Sequence, residues 1–435
     1  MKKICVLISL VSMLSCGKPP NTDTYSRIII RELNETEIKQ GDQLIALVGA
    51  TLIDGNGGKP TQNSCVIVRH GKIESVGKVD SLRIPAAAKV VDVNGMYMLP
   101  GLIDAHYHNE ESLDLAPQFL NNGITSVRDP GAWIEAYDAL RNSHRDIPRL
   151  FLTGPHLDTS PPAYPKDAYI VRDQAEGSLA VEEHVAKGAT AIKVYFRLPV
   201  ATIREVCATA HRHGIPVTAH LEIVNARDAI DAGVDGIEHI TSLGTCLIPP
   251  REAEKYKQKV LQDNNARRRG RYEMWNSISL SDNRKADSLV AFLSLKNTFV
   301  SPTLAVFERQ SVTGDSDSVE VNGFRNMLKF AGQLVRGNVP LVVGSHSLVP
   351  FAEEGYAYFR EMELLHEAGM EPMEVIIAAT MNNARFFRID ERLGSIEAGK
   401  NADIILLAED PLKDIKAMRS VKAVMLNGVW VRELE

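Results

Sequence analysis

The run Leu102-Ile103-Asp104-Ala105-His106-Tyr107-His108 decides how the rest of this chain is read. A short apolar segment ends in two imidazoles at positions i and i+2. On a strand those side chains share a face, so both can reach one metal ion. An isolated pair of this kind is more often a surface or core feature than a ligand set, so its weight depends on its surroundings.

Downstream, strand and helix patterns alternate. Eight short apolar runs, 98–105, 123–128, 149–153, 189–195, 215–220, 235–239, 298–303 and 340–346, each precede an amphipathic stretch. Helices are predicted at Val200–Arg212, Glu222–Ala232 and Asn322–Arg336, the last with Gly337 as its stop signal. This alternation predicts βαβ units around a parallel sheet, and eight of them match the size of a (β/α)₈ TIM barrel. A doubly wound open sheet is the alternative, but no glycine-rich phosphate loop follows any of the strands. The charged stretch from Arg251 to Lys296 exceeds one connecting helix and predicts two helices, forming a lid or flank over the barrel mouth. Within it Arg267, Arg268, Arg269 and Arg271 read as a solvated helix face.

Both ends of the chain carry β-runs with hairpin punctuation. One set runs from Ala46-Leu47-Val48 to Val90-Val91-Asp92-Val93. The other runs from Ile404-Ile405-Leu406-Leu407 through Asn427-Gly428 to Val429-Trp430-Val431. Residues 43–97 and 389–435 are therefore expected to pair into one small β-sandwich, with the barrel, 98–388, as the insert between them.

Residues 1–16 read as a signal peptide: Lys2 and Lys3, an apolar stretch from Ile4 to Leu14, then small residues. The apolar stretch is shorter than the ~20 residues a spanning helix needs. Met13-Leu14-Ser15-Cys16 resembles a bacterial lipobox, which implies export, acylation of Cys16, and a lipid anchor on the periplasmic or cell-surface side of the membrane. Residues 17–42 are polar and aperiodic, as a tether would be. Beyond Cys5 and Cys16, only Cys65, Cys207 and Cys246 remain, with no paired spacing, so buried thiols are expected rather than a disulfide framework. The net charge of −6 argues against nucleic acid as a partner. Oligomeric state is not fixed by the sequence, and a homo-oligomer is compatible with it.

In a barrel of this kind the active site is built at the C-terminal ends of the strands. The fourth predicted strand ends at Ala191-Ile192-Lys193, the fifth at Thr218-Ala219-His220 and the sixth at Ile237-Glu238-His239. Four histidines at three strand ends, with a lysine at a fourth, are hard to obtain by chance. His211 and His213 sit at a helix end where cations suit the dipole. His70, His144, His156, His184 and His366 fall in turns or helical runs and need no ligand role.

These segments, with Met98-Leu99-Pro100-Gly101, Gly123-Ile124-Thr125-Ser126-Val127-Arg128-Asp129 and Leu393-Gly394-Ser395-Ile396-Glu397-Ala398-Gly399-Lys400-Asn401-Ala402-Asp403, resemble the amidohydrolase superfamily. The resemblance is closest to its imidazolonepropionase-like and Xaa-Pro dipeptidase-like members, and covers the chain from about Leu44 to Leu434. It implies a metal-dependent hydrolase of carbon–nitrogen bonds in small peptide-like or cyclic amides, with a divalent metal cofactor, usually two zinc ions. His106 and His108 would hold the deeper ion and His220 and His239 the outer one. Lys193, carboxylated by carbon dioxide, would bridge them. A carbamate offers two anionic oxygens where an amine offers none. Paired ions can bring the pKa of a shared water towards ~7 or below, making hydroxide available. Manganese, cobalt or iron would also suit such ligands.

One position departs from the family pattern. The family places an aspartate at the end of the eighth strand, where it binds metal and moves protons. Here the run is Val342-Val343-Gly344-Ser345-His346-Ser347. His346 can substitute, since imidazole is a metal ligand and a proton carrier. Alternatively the reaction or metal number has changed, or the chain is a catalytically impaired binding protein. Substrate contacts are expected from Tyr195, from Arg128 and, near the seventh strand, from Thr303. Arg128 reads equally well as the ion-pair partner of Asp129.

Overall fold

The computed structural model describes residues 29–310 and 317–434. Its centre is a ring of eight parallel segments: Leu102–Asp104, Ile124–Asp129, Arg149–Leu152, Ile192–Val194, Val217–His220, Gly236–Glu238, Phe299–Ser301 and 341–343. Backbone hydrogen bonds close the ring at its three thin places. Thr190 N donates to Leu152 O, Val342 N to Val300 O, and Ala105 N to Val343 O. Apolar strands such as Ile192–Val194 are buried along their length, as expected of a sheet covered by helices. The fold is therefore a (β/α)₈ barrel.

The two chain ends form the sandwich. One sheet orders Lys72–Lys78, Ser64–Arg69, Ile45–Val48 and Lys89–Asp92. The other orders Val429–Arg432, Val421–Leu426, Ile404–Leu407, Tyr97–Pro100 and Thr51–Leu52. Leu47, Val66, Met98, Leu406 and Met425 fill the space between them. The predicted run 98–105 is split: Tyr97–Pro100 pairs with Ile404–Leu407 in the sandwich, and the first barrel strand starts at Leu102. Gly101 is the crossing point. A Cβ there would lie 2.2 Å from Thr125 Oγ1, so any side chain would push the second barrel strand away.

Several expectations are corrected. Three helices, Pro250–Gln262, Ala266–Ser277 and Arg284–Lys296, occupy the stretch assigned two. The helix expected at Glu222–Ala232 is only Ala226–Asp231, capped by the Asn225 side chain, because Glu222 is drawn into the barrel by Tyr256 and His220. The helix expected from Asn322 begins at Ser318, where the Asp317 side chain caps it.

Cys16 and residues 17–28 lie outside the described residues, but 29–42 are no free tether. Glu32 is buried in ion pairs with Arg149 and Arg392, and Asn34 exchanges hydrogen bonds with Leu150 N and Pro148 O. Among the described residues no helix is long and apolar enough to cross a membrane. Cys65 and Cys207 are free buried thiols, and Cys246 is free and half-buried.

Candidate metal centre

The site grows from how the strand ends are pinned. Asp104 Oδ1 accepts from His106 N (3.0 Å) and from Ser345 N (2.9 Å), tying the first strand to the eighth. Gly344 permits that closeness. A Cβ there would meet Ser301 Oγ at 2.5 Å and His106 Cβ at 2.7 Å. His346 then turns into the left-handed region (φ 59°), its N–H donating to His106 O at 2.6 Å.

The imidazoles converge. His106 Nε2 and His108 Nε2 lie 3.1 Å apart, and ring nitrogens of His106, His239 and His346 fall within 4.8 Å of one another. The His220 and His239 ring centres are 4.4 Å apart, and the His346 ring stacks on His106 at 5.0 Å. Lys193 enters the same cavity, a volume of about 890 Å³ at the barrel mouth that His108, Tyr195, His220, His239 and His346 also line.

Four of the strand-end rings have one nitrogen engaged by a neighbouring side chain. His106 Nδ1 meets Glu238 Oε2 (2.7 Å), His108 Nδ1 meets Asp129 Oδ1 (3.2 Å), and His239 Nδ1 meets Thr303 Oγ1 (2.7 Å). His220 differs, using Nε2 towards Glu222 Oε1 at 3.2 Å. A carboxylate can only accept, so it fixes the proton on the nitrogen facing it and leaves the other lone pair free for an ion. This donor chemistry fits a divalent metal among these rings, with ring nitrogens of His106, His239 and His346 close enough to share an ion and Lys193 lining the same cavity.

The electrostatics agree with that fit. Burial first, with Lys193 and neighbouring rings adding to it, holds His106, His239 and His346 well below the ordinary histidine range. Burial takes His220 down to about 4. The rings are therefore neutral, the form that ligates. Burial also lowers Lys193 to about 8, against the pull of Glu238 and Asp129. A useful fraction of its amine is then uncharged at neutral pH, as reaction with carbon dioxide requires.

Two expected substrate contacts lie elsewhere. Arg128 is 1% exposed and does not line the cavity. It sits over the Phe386 ring (4.1 Å), donates Nε–H to Ala105 O, and pairs with Glu238 at 2.7 Å rather than with Asp129. Thr303, fully buried with φ 47°, orients His239 from outside the cavity. Tyr195 does line it, 4.5 Å from the His220 ring centre.

Glu238 and Glu222, assigned no role above, prove to be the carboxylates that hold His106 and His220. Their signal was in the sequence, each two residues or fewer from a strand-end histidine. His156, expected to lie in a turn or helical run, lines the cavity 4.3 Å from the Tyr195 ring centre, with a buried Nε2 that has no hydrogen-bond partner among the described residues. The arginine run is a solvated face only in part: Arg268 and Arg269 are exposed, but Arg267 is buried, and Arg268 and Arg271 line the cavity.

The model of the amidohydrolase family matches residues 97–253 and 322–431. The chain belongs to the amidohydrolase family. Among solved structures, this amidohydrolase is similar to a candidate prolidase from Bifidobacterium longum. They share 25% identity and a TM-score of 0.67, over 90% of this chain and 95% of that one. It is also similar to a Xaa-Pro dipeptidase with methionine bound in its active site, at 20% identity and a TM-score of 0.68, over 90% and 100%. An N-acyl-D-aspartate deacylase from Alcaligenes xylosoxydans xylosoxydans is 38% identical over 120 residues, 27% of this chain and 22% of that enzyme. The chain spans about half or less of the length of the first curated relatives it matches.

Proposed function

We propose that this amidohydrolase is a metal-dependent hydrolase of carbon–nitrogen bonds in small peptide-like substrates. The observation that carries it is the convergence of His108, Lys193, His220 and His239 on one cavity at the barrel mouth, with the buried His106 Nε2 3.1 Å from His108 Nε2. Prolidase and dipeptidase activities in the structural neighbours, and acyl-amino-acid cleavage in one relative, point to amides of amino acids as the substrate class. A divalent ion in this ligand set supplies Lewis acidity that polarises a carbonyl and acidifies water.

The chain's own residues do the rest. His346, neutral and half-buried above His106, stands where the family places its acid and can take a proton from water and return it to the leaving nitrogen. Tyr195 and His156, packed ring against ring and lining the same cavity, offer an aromatic surface to the substrate beside His220. Helix Ala266–Ser277, through Arg268, Arg271 and Tyr272, and the segment that follows the seventh strand, through Val306, Phe307 and Arg309, line the cavity.

The test is metal analysis and hydrolysis of a library of dipeptides and N-acyl amino acids by the purified chain. Zinc near two equivalents is expected, with hydrolysis that chelation abolishes and zinc restores. A second reading, a catalytically impaired binding protein, is favoured by one observation: an imidazole where the acid should be. A metal-replete parent that leaves every amide intact, beside an active His346→Asp variant, would establish it instead. We propose in addition that the protein is exported and anchored through Cys16, on the strength of the N-terminal sequence alone. Labelling with a radioactive or clickable fatty acid checks this, and Cys16→Ala should abolish the label.

A further inference from the structure

Helix Ala266–Ser277 places two guanidinium groups, those of Arg268 and Arg271, against the cavity. Arg268 lines the cavity, is exposed, and has no ion pair or side-chain hydrogen bond among the described residues. Arg271, three residues on and so on the same face, lines it too, lying 5.3 Å over the Phe307 ring. Its one carboxylate neighbour is Glu222 at 3.7 Å, already engaged by Tyr256 Oη (2.7 Å) and His220 (3.2 Å). Arg267 does not line the cavity: it is 1% exposed over the Tyr164 ring (4.9 Å), with no hydrogen-bond partner for Nε or Nη2 among the described residues. Arg309 reaches the same cavity from beyond the seventh strand but is paired with Glu320 at 3.3 Å.

The carboxylates of the cavity lie elsewhere. Asp129 ends the second strand, and Glu110, Glu111 and Asp167 come from segments that follow the first and third strands, with Lys166 next to Asp167. The wall beside His220 and His239 is cationic, with Arg271 reaching Glu222 near His220 and lying over Phe307, which packs on His239. Among the described residues the guanidinium of Arg268 is unengaged beside that of Arg271, and such planar forks are matched to a carboxylate.

We propose that this wall is an anion subsite, and that the amide substrate carries a carboxylate or similar oxyanion on the end lying against Arg268 and Arg271. This deepens the hydrolase reading and rests on it for the identity of the ligand as substrate. The subsite itself is tested without turnover. The metal-loaded protein is titrated calorimetrically with glutarate and with butyrate, chains of similar length that differ by one carboxylate. Glutarate should bind at least about tenfold more tightly. That gain should vanish in Arg268→Glu and survive in part in Arg268→Lys, a side chain exposed enough for both variants to fold. Equal binding of the two acids, weak or strong, overturns the subsite, as does a gain that persists in Arg268→Glu. Because no hydrolysis is measured, failure here leaves the amide-cleavage test unaffected, and failure there leaves this one standing.

Discussion

Glu238 is the residue on which the centre turns. It accepts from His106 Nδ1, from Arg128 Nη2 and from Thr218 Oγ1 at 2.6–2.7 Å, wholly buried. Removing such a partner typically costs about 10–100-fold in metal affinity. Glu238→Gln should show that loss in a competitive chelator titration, and unchanged affinity would strip Glu238 of the role. Another buried carboxyl, Glu361, behaves differently. Burial pushes it up to about 8, although Oε2 accepts from Ala305 N at 2.8 Å. Its folded pKa is raised above the usual 4.5. Its contribution to stability is thus complete below 4.5 and fades as pH climbs through 8. The melting temperature of the parent should therefore fall relative to Glu361→Gln between about pH 5 and about pH 9. A constant difference would mean the carboxyl does not titrate there. The metal-facing histidines were legible in the sequence because each ends a strand. The partner of Arg128 was not, because a pairing between the second and sixth strands appears only once the ring has closed.

At the level of elements, the eighth strand is the vulnerable one. It is held by a single bridge to Val300 and by Ala105 N on Val343 O, and its Gly344 packs against His106 and Ser301 with no room for a Cβ. Overpacking of this sort typically costs about 1–3 kcal/mol. Gly344→Ala should lower the melting temperature and the metal content together. Retention of full metal occupancy would show that the strand can shift without moving His106. The alternation of strand and helix was readable because apolar runs and turn signals are local. The inward face of Ala266–Ser277 was not. Four arginines in five positions look solvated until aromatic rings such as Tyr164 and Phe307 are found beneath them.

Three parts of the molecule meet at one buried cluster. Arg149, at the start of the third barrel strand, contacts Asp403 of the sandwich with two hydrogen bonds (2.7 and 3.0 Å) and Glu32 of the N-terminal segment, which Arg392 also holds. Breaking a buried pair on one side typically costs about 3–5 kcal/mol, because the abandoned charges stay buried. Arg149→Met should thus lower the melting temperature sharply, and a shift of only a degree or two would show that water or a local rearrangement covers Glu32 and Asp403. The (β/α)₈ barrel with its sandwich of both chain ends was legible from pattern. The docking of residues 29–42 was not, since composition does not separate a loose polar segment from one seated by ion pairs.

That seat also has a direction. Leu33 N donates to Leu150 O, and Asn34 bonds to Leu150 N, both at the entry end of a barrel strand, while the histidines crown the exit ends. With Cys16 acylated as proposed, residues 17–28 span at most about 40 Å at ~3.3–3.6 Å per residue. The proposed anchor would then join the described molecule at the entry end of the barrel, opposite the strand ends that carry the histidines.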